Sequence, residues 1–310
     1  THLLPQIQKK RVFNYAIAVD GLKQILWGLF KKVVIADQCA EIANMTFNNH
    51  GEYSGSTLAL GAVFFAFQIY GDFSGYSDIA LGTARLFGID LLRNFAYPYF
   101  SRDIAEFWRR WHISLSTWFR DYLYIPLGGS KGGMWMKIRN TFIIFLVSGF
   151  WHGANWTFII WGFLNALYIM PSIIFSTNRT NLDMVAQDKY FPNLKEVFQI
   201  GITFSLTVFA WIFFRAENLT HALEYISEIA SSSFFSMPSL LMKHTLLTKS
   251  LFLILFLFIL IEWLGRQQQY AIAVLTNKWP KAIRYSFYYL IIIGILWFSG
   301  KEQQFIYFQF

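Results

Sequence analysis

The sequence predicts an all-α protein that crosses a membrane several times, with some helices amphipathic and others broken or re-entrant. Of its 310 residues, 55% are hydrophobic, 20% are aromatic and only 14% are charged, which is far more apolar than soluble domains usually are. Apolar runs near the length of about 20 residues that spans a bilayer recur too often for one soluble core. The predicted membrane runs are Thr57–Tyr70, Thr141–Phe175, Val197–Phe214, Ser250–Leu264 and Ile283–Phe298.

The net charge of +8 is typical of a membrane protein of this composition and does not require a nucleic-acid partner. Lysines and arginines lie in short loops beside apolar runs, where the positive-inside rule places them. The single cysteine, Cys39, excludes an intrachain disulfide and a thiolate metal cluster. We therefore expect membrane lipid around the protein, no nucleic acid, no metal and no bound cofactor.

One membrane domain over residues 1–310 is the simplest organisation that the sequence allows. It has no repeat, no low-complexity tract and no Gly/Ser linker long enough to separate domains. The first residue is Thr1, and no signal-peptide pattern follows it. We expect the chain to be the C-terminal portion of a longer protein.

Two stretches are predicted to form amphipathic helices, Tyr15–Val33 and Ser101–Tyr124. In the first, Tyr15, Leu22 and Leu29 recur on one face, while Lys31 falls elsewhere on the helical wheel. In the second, the apolar side carries Ile104, Trp108, Trp111, Leu115, Trp118 and Tyr122. The opposite side carries Arg102, Glu106, Arg109, Ser116 and Arg120, with His112 at the seam.

Two polar interruptions occur within apolar sequence. Gly71–Asp78 carries two glycines and two aspartates, which would be costly facing lipid, so this stretch must be buried in protein or wet. Ser148–Trp156 places His152 and Asn155, with two glycines, inside a long apolar run. Broken backbone is tolerated in a membrane where it lines a cavity or is covered by protein, so we predict such an environment around His152.

Five segments, in this order along the chain, resemble the membrane-bound O-acyltransferase family. They are Asp72–Asp78 (DFSGYSD), Arg93–Phe100 (RNFAYPYF), Phe107–Tyr122 (FWRRWHISLSTWFRDY), Ile125–Gly129 (IPLGG) and Ser148–Gly153 (SGFWHG). Within the family the chain looks most like the branch that O-acetylates polysaccharides such as alginate, and less like the branch that transfers D-alanine to teichoic acid. The closing Phe305–Phe310 resembles the family's C-terminus, and the resemblance implies that further membrane helices precede Thr1.

The resemblance assigns His152 and His112 to an active centre. From the residues alone, His152 is as readily a core histidine, and His112 is more readily an interfacial anchor. Acyl transfer from a thioester to a hydroxyl needs a proton acceptor near neutral pH, which an imidazole with an ordinary pKa of about 6.5 supplies. The resemblance implies that His152 is the general base and that His112 orients the donor or stabilises the oxyanion.

Asn155, Asp72 and Asp78 are secondary catalytic candidates. Asn155 would orient the imidazole of His152 or bind the acyl carbonyl, or else make an ordinary interhelical hydrogen bond. The two aspartates would be catalytic carboxylates, or would hydrogen-bond backbone N–H groups in an Asp-x-Ser-Gly turn. Cys39 is disfavoured as an acyl-carrying nucleophile because no base lies beside it in the sequence.

A group of basic side chains is the candidate binding site for the acyl donor. It consists of Arg109, Arg110, Arg120 and Lys131, with Arg102, Lys137 and Arg139 in the same region. Such cations would hold the phosphates of coenzyme A or an acidic carrier protein. The alternative is a solvated cytoplasmic face produced by the positive-inside bias.

The resemblance implies an enzyme of the bacterial inner membrane that O-acetylates an exported, alginate-like polysaccharide. The donor would be acetyl-CoA or another cytoplasmic acyl thioester, and the acetyl group would pass across the membrane to the polysaccharide or to a periplasmic acetyltransferase partner. D-alanyl transfer to teichoic acid is the rival enzymatic function. A transporter whose polar intramembrane residues line a substrate path, or a purely structural subunit, is the non-enzymatic alternative.

Overall fold

The computed structural model describes residues 3–242, 246–275, 277 and 279–300, so Phe305–Phe310 lies outside the described residues. The first helices are α1 (Leu4–Gln8), α2 (Tyr15–Leu29), α3 (Asp37–Asn48) and α4 (Gly55–Leu86). The central ones are α5 (Ile104–Arg110), α6 (Ile113–Phe119), α7 (Gly133–His152), α8 (Trp156–Ile174) and α9 (Leu194–Arg215). The last are α10 (Leu219–Ile229), α11 (Ser239–Met242), α12 (Leu246–Gly265) and α13 (Lys281–Phe298). The all-α prediction is confirmed.

Four of these helices, α4, α8, α9 and α13, are long and apolar enough to cross a membrane. The helix α8 has 19 residues and, at about 1.5 Å per residue, is about 28 Å long, close to the thickness of the hydrocarbon core. The apolar part of α12, Ser250–Gly265, is shorter. These helices coincide with the predicted apolar runs, so the prediction of a multi-pass membrane protein is confirmed.

The chain divides into two compact units. The first unit lies within residues 1–42, 67–96 and 244–309, and the second within residues 43–66 and 97–243. The helix α4 contributes its first part to the second unit and its remainder to the first. Both candidate histidines, His112 and His152, belong to the second unit.

In the first unit, glycines set the close approach of α2 and α4, which run in opposite directions. A Cβ built on Gly28 would lie 2.6 Å from the carbonyl oxygen of Gly75, and one built on Gly75 would lie 2.8 Å from that of Gly28. Gly21 and Gly82 form a second reciprocal pair. In both helices the two glycines are seven residues apart, about two turns, so one small-residue face of each helix packs backbone against backbone.

The predicted turn at Gly71–Asp78 is wrong, because α4 continues through it as a helix. Its glycines are tolerated because the first unit's α2 and the following π turn, Phe30–Ala36, pack against them. Asp72 and Asp78 are buried, as predicted, and each pairs with a lysine. Asp72 Oδ1 lies 2.9 Å from the Nζ of Lys32, and Asp78 Oδ2 lies 2.6 Å from that of Lys31.

One of these ion pairs buries a charge in the segment Tyr15–Val33. Tyr15 and Leu22, predicted on the apolar face of an interfacial helix, are exposed on the surface of the protein, whereas Lys31 is buried. The carboxylate of Asp78 offsets the desolvation of the ammonium group. Apolar periodicity does not register such compensation, so it did not predict the burial of Lys31.

A further buried carboxylate ties α12 into the first unit. Glu262 is 3% exposed and accepts hydrogen bonds from the hydroxyl of Tyr70 at 2.6 Å and from the indole N–H of Trp27 at 3.0 Å. A buried carboxylate is retained only where such donors satisfy it. Glu262 therefore gives the apolar helix α12 a specific polar attachment to α2 and α4.

In the second unit, the stretch predicted as one helix, Ser101–Tyr124, is broken. The helix α5 ends at Arg110, α6 begins at Ile113, and a π turn follows at Arg120–Tyr124. The predicted apolar side is divided as well, since Trp111 is buried while Trp118 and Tyr122 are exposed. The chain therefore changes direction at His112 instead of carrying it along a straight helix.

A buried ion cluster holds α5 and explains why the amphipathic prediction fails there. Glu106, which is 1% exposed, accepts hydrogen bonds from the guanidinium groups of Arg102 (3.1 Å) and Arg110 (2.7 Å). Both arginines also donate to the backbone carbonyl of Asp183, at 2.7 and 2.9 Å. The polar side predicted for this segment is thus buried, and the cluster fixes α5 to the loop before α9.

The helices α7 and α8 form an antiparallel hairpin closed by two glycines. A Cβ on Gly149 would collide with the carbonyl of Phe158, and one on Gly162 with the carbonyl of Phe145. The long apolar run that contains them is therefore two helices and not one span interrupted near its middle. His152, the last residue of α7, lies at the tip of this hairpin.

We expect Gly28→Ala to lower the stability of the protein by about 1–3 kcal/mol, the usual cost of overpacking, because its Cβ would press on the backbone of α4. The matched control is Gly201→Ala in α9, where no atom lies within 4 Å of the added Cβ; there alanine should be neutral or stabilising. Thermal unfolding in detergent compares the two variants. Equal unfolding temperatures would contradict the close packing of α2 on α4.

We expect Glu106→Ala to destabilise the protein by about 3–5 kcal/mol, because removing one partner leaves buried guanidinium groups uncompensated. Asp121→Asn is the control, since Asp121 and its partner Arg120 are 42% and 59% exposed and an exposed ion pair contributes little to stability. Denaturation of both variants in detergent measures the difference. A Glu106→Ala variant as stable as wild type would show that the cluster does not hold α5.

Candidate active site

The imidazole of His152 is enclosed by aromatic rings from α7, α8 and α9. Its ring centroid lies 5.1 Å from that of Trp151, 5.2 Å from that of Trp161 and 5.1 Å from that of Phe214, each edge to face. Trp161 and Phe214 are buried, whereas Trp151 is exposed. His152 therefore has an apolar, packed side and a side that opens towards the tip of the hairpin.

Asn155 is the N-cap of α8, three residues after His152, and both polar atoms of its side chain bond to backbone. Its Oδ1 accepts from the N–H of Thr157 at 3.1 Å, which caps the helix, and its Nδ2 donates to the carbonyl of Glu217 at 2.8 Å. Gly153 packs against Phe158, whose ring lies 2.5 Å from a Cβ built on the glycine. Asn155 was expected either to assist the chemistry or to make an ordinary structural hydrogen bond between segments. These contacts support the structural role, and they fix the backbone next to His152.

His112 has a left-handed backbone conformation with φ of 46°. Histidine adopts this region more often than most residues, but the conformation still costs about 1–3 kcal/mol and persists only where the surroundings enforce it. It lets the chain turn between α5 and α6. Ser114 Oγ lies 3.4 Å from the Nδ1 of the ring, and burial lowers the pKa of His112 to about 4, so its imidazole is neutral at pH 7.

A row of tryptophans connects the surroundings of the two histidines. Trp111 precedes His112, and its ring lies 5.2 Å from that of Trp211; Trp211 in turn stacks on Trp161 at 5.8 Å. Trp161 then meets the imidazole of His152. This row of contacts therefore links the surroundings of two histidines that are 40 positions apart in the sequence.

A hydrogen bond between side chains of α5 and α8 holds these two helices together. Asn165 is 3% exposed; its Oδ1 accepts from the indole N–H of Trp108 at 3.2 Å, and its Nδ2 donates to the carbonyl of Trp161 at 2.8 Å. This residue was not among the sequence candidates. The sequence could have indicated it, because Asn165 is an amide within the apolar segment Trp156–Ile174, where a buried polar group needs a specific partner.

The basic candidates for donor binding occupy different environments. Arg110 is buried and its charge is compensated within the Glu106 cluster. Arg109 is exposed and donates to the carbonyls of Asn178 and Asn181, both at 2.8 Å. The exposed members of the group are Arg109, Arg120, Lys131 and Arg139. The donor-binding hypothesis is therefore better supported for these exposed cations than for Arg110.

The remaining candidates lie in the first unit and have structural partners. Asp72 and Asp78 form the lysine pairs described above, and Asp78 also accepts from the side-chain amide of Gln24 at 2.8 Å. Cys39 is completely buried, and burial raises the pKa of its thiol. These surroundings favour a structural role for the aspartates and give the cysteine none of the activation that a nucleophile needs.

A neutral imidazole at His152 can accept the proton of a hydroxyl, and a second neutral imidazole at His112 can donate a hydrogen bond from its ring N–H. The aromatic rings on the inner side exclude water, which strengthens such polar interactions. Among the described residues, no group of three or more histidine, cysteine or acidic side chains is arranged to hold a metal ion. The chemistry that these two imidazoles can supply is proton transfer and hydrogen-bond donation.

Several named bacterial proteins are similar to this chain. A peptidoglycan O-acetyltransferase of Helicobacter pylori is 34% identical across 100% of this chain and 60% of its own length. A probable alginate O-acetylase, AlgI, of Pseudomonas aeruginosa is 44% identical over 64% of this chain and 36% of its own length. A teichoic acid D-alanyltransferase of Streptococcus thermophilus is 35% identical over 48% of this chain and 38% of its own length.

The chain thus spans 60% of the first of these relatives and smaller parts of the other two. The model of the membrane-bound O-acyltransferase family matches residues 4–206, a range that includes α4, both halves of the broken α5–α6 segment, and the α7–α8 hairpin. It contains His112, His152 and all five segments on which the resemblance rests. The chain belongs to the membrane-bound O-acyltransferase family.

Proposed function

We propose that this chain carries the acyl-transfer centre of an enzyme that moves an acetyl group from a cytoplasmic thioester to an exported polysaccharide, with His152 as general base. The observation that carries the proposal is the tryptophan row of Trp111, Trp211 and Trp161, which links the surroundings of His112 to the imidazole of His152. Family membership and the O-acetylating relatives support it.

The reaction needs one proton acceptor and one oxyanion donor. His152 would take the proton of the acceptor hydroxyl as its oxygen forms a bond to the thioester carbonyl carbon. His112 would donate a hydrogen bond to the carbonyl oxygen while it carries negative charge. Collapse of this intermediate breaks the carbon–sulfur bond, and the proton on His152 passes to the departing thiolate, which balances the step.

The distribution of charge supports a donor from the cytoplasm. The loop before α7 carries Lys131, and α7 itself carries Lys137 and Arg139 near its start, where the positive-inside rule places cytoplasmic cations. The helix α7 has 20 residues, so His152 lies about 30 Å along the axis from that loop. We propose that the acetyl group reaches His152 along this axis in the bacterial inner membrane and is accepted on the far side.

The names of the relatives suggest two candidate acceptors of the acetyl group. The alginate O-acetylases have the higher sequence identity to this chain. The peptidoglycan O-acetyltransferase has lower identity, but its match covers all of this chain. An exported, alginate-like polysaccharide, reached directly or through a periplasmic acetyltransferase, is our first choice. Peptidoglycan is the alternative, and acetyl ester measured separately on secreted polysaccharide and on purified cell wall distinguishes them.

We expect His152→Ala to lower O-acetylation in cells expressing the full-length protein by at least about 100-fold, the usual contribution of a general base. Acetyl ester is measured at matched membrane abundance. The control is His50→Ala, a histidine of the same unit that pairs with Glu224 at 3.1 Å and should leave acetylation unchanged. Wild-type acetylation in His152→Ala would make this histidine structural.

Substitutions of His112 separate its backbone from its imidazole. His112→Gly should relieve the left-handed strain and be more stable than His112→Ala by about 1–2 kcal/mol, while both should lose most acetylation because neither supplies a donor. His112→Asn tolerates the conformation and keeps an N–H donor, so it should retain more activity than either. Unfolding temperature and acetyl ester are measured for all three. Equal activity of Asn and Gly variants would exclude hydrogen-bond donation.

A further inference from the structure

The inner side of His152 is a cage of aromatic rings from two helices. Trp161 and Phe158 come from α8, and Trp211 and Phe214 come from α9. Their exposed fractions are 2%, 7%, 2% and 4%, respectively. The rings of Trp161, Phe158 and Phe214 contact the imidazole, at centroid distances of 5.2, 6.4 and 5.1 Å, respectively.

The rings of this cage also hold one another in place. Phe214 lies 5.2 Å from Trp161, 5.1 Å from Phe158 and 5.1 Å from Trp211, in each case edge to face. Such pairs contribute beyond the area they bury. A ring with three aromatic neighbours cannot rotate away without disturbing them, so a group that approaches the imidazole from this side meets walls of fixed position and size.

This fixed size acts on the acyl group. The carbonyl carbon must come within about 3–3.5 Å of the attacking oxygen, which is itself within hydrogen-bond reach of the imidazole. The tail of the acyl group must then lie among the side chains around His152. A methyl group adds little volume there, whereas each further methylene has to displace a packed ring.

We propose that Trp161 and Phe214 determine the acyl chain length, so that the site accepts thioesters of short acyl groups and rejects longer ones. The two rings form adjacent walls, one on each helix, and both contact the imidazole directly. This inference rests on the proposed acyl transfer and adds to it the residues that select the donor. In this proposal Trp161 and Phe214 determine which donor is accepted, and neither residue takes part in proton transfer.

The test compares acetyl-CoA, butyryl-CoA and hexanoyl-CoA as donors for the full-length protein in membranes, with acyl ester formed as the readout. Phe214→Ala and Trp161→Ala should each raise the ratio of hexanoyl to acetyl transfer at least about tenfold, since a single methylene in an apolar pocket changes selectivity by about 10–200-fold. The matched controls are Phe209→Ala in α9 and Phe163→Ala in α8. Both are aromatic residues of the same helices, 39% and 45% exposed, and should leave the ratio unchanged.

Phe214→Leu and Trp161→Phe remove less volume and serve where an alanine variant does not accumulate, since Phe or Trp to Ala costs about 3–5 kcal/mol in a core. They should shift the ratio in the same direction, towards butyryl transfer. Variants that keep acetyl transfer without any gain for longer donors would overturn the proposal. A wild-type protein that transfers no acyl group from any of the three donors would instead refute the proposed function.

Discussion

The close contact between α7 and α8 is the constraint on which the candidate site depends. It exists because Gly149 and Gly162 present no side chain where the carbonyls of Phe158 and Phe145 approach. Without a Cβ at these positions the two helices can fold back on each other, and the last residue of α7, His152, then lies half-buried at the tip of the hairpin. The position of His152 beside the rings of α8 and α9 follows from this backbone contact.

His112 is positioned by a different force, the compensation of buried charge. Glu106 neutralises two guanidinium groups, and through Asp183 this cluster anchors α5 to the loop before α9. With α5 fixed and Trp108 bonded to Asn165, the chain can reach α6 only by a sharp turn. The left-handed conformation of His112 is the local cost of that turn, and strain of this kind persists where the surrounding structure enforces it.

The first unit also combines close helix contact at glycines with compensation of buried charge. Small residues let α2 and α4 touch through their backbones, and pairs of lysine with aspartate satisfy the charges that this contact buries. The motif Asp72–Asp78 therefore combines packing glycines with ion-pairing carboxylates along one helix. Its composition resembles a loop, but its partners on α2 and the π turn make it regular helix.

The sequence by itself determined the class of the molecule. Apolar runs of spanning length require helices in a membrane, because no other local structure satisfies the backbone there, and five motif segments carry the resemblance to the family. His152 also stood out, since a histidine in apolar sequence is costly without a function or a partner, whereas His112 became a candidate through the resemblance. These features depend on short stretches of sequence, so they can be recognised without the tertiary structure.

Only the tertiary structure decided how those residues meet. The break at His112, the hairpin at His152, the burial of Lys31 and Glu106, and the aromatic cage around the imidazole all depend on contacts between positions far apart in sequence. Periodicity assigns a charged side chain to the surface because it cannot see the opposite charge that another segment supplies. Likewise it marks a glycine as a break, whereas here a neighbouring backbone makes the glycine a point of contact.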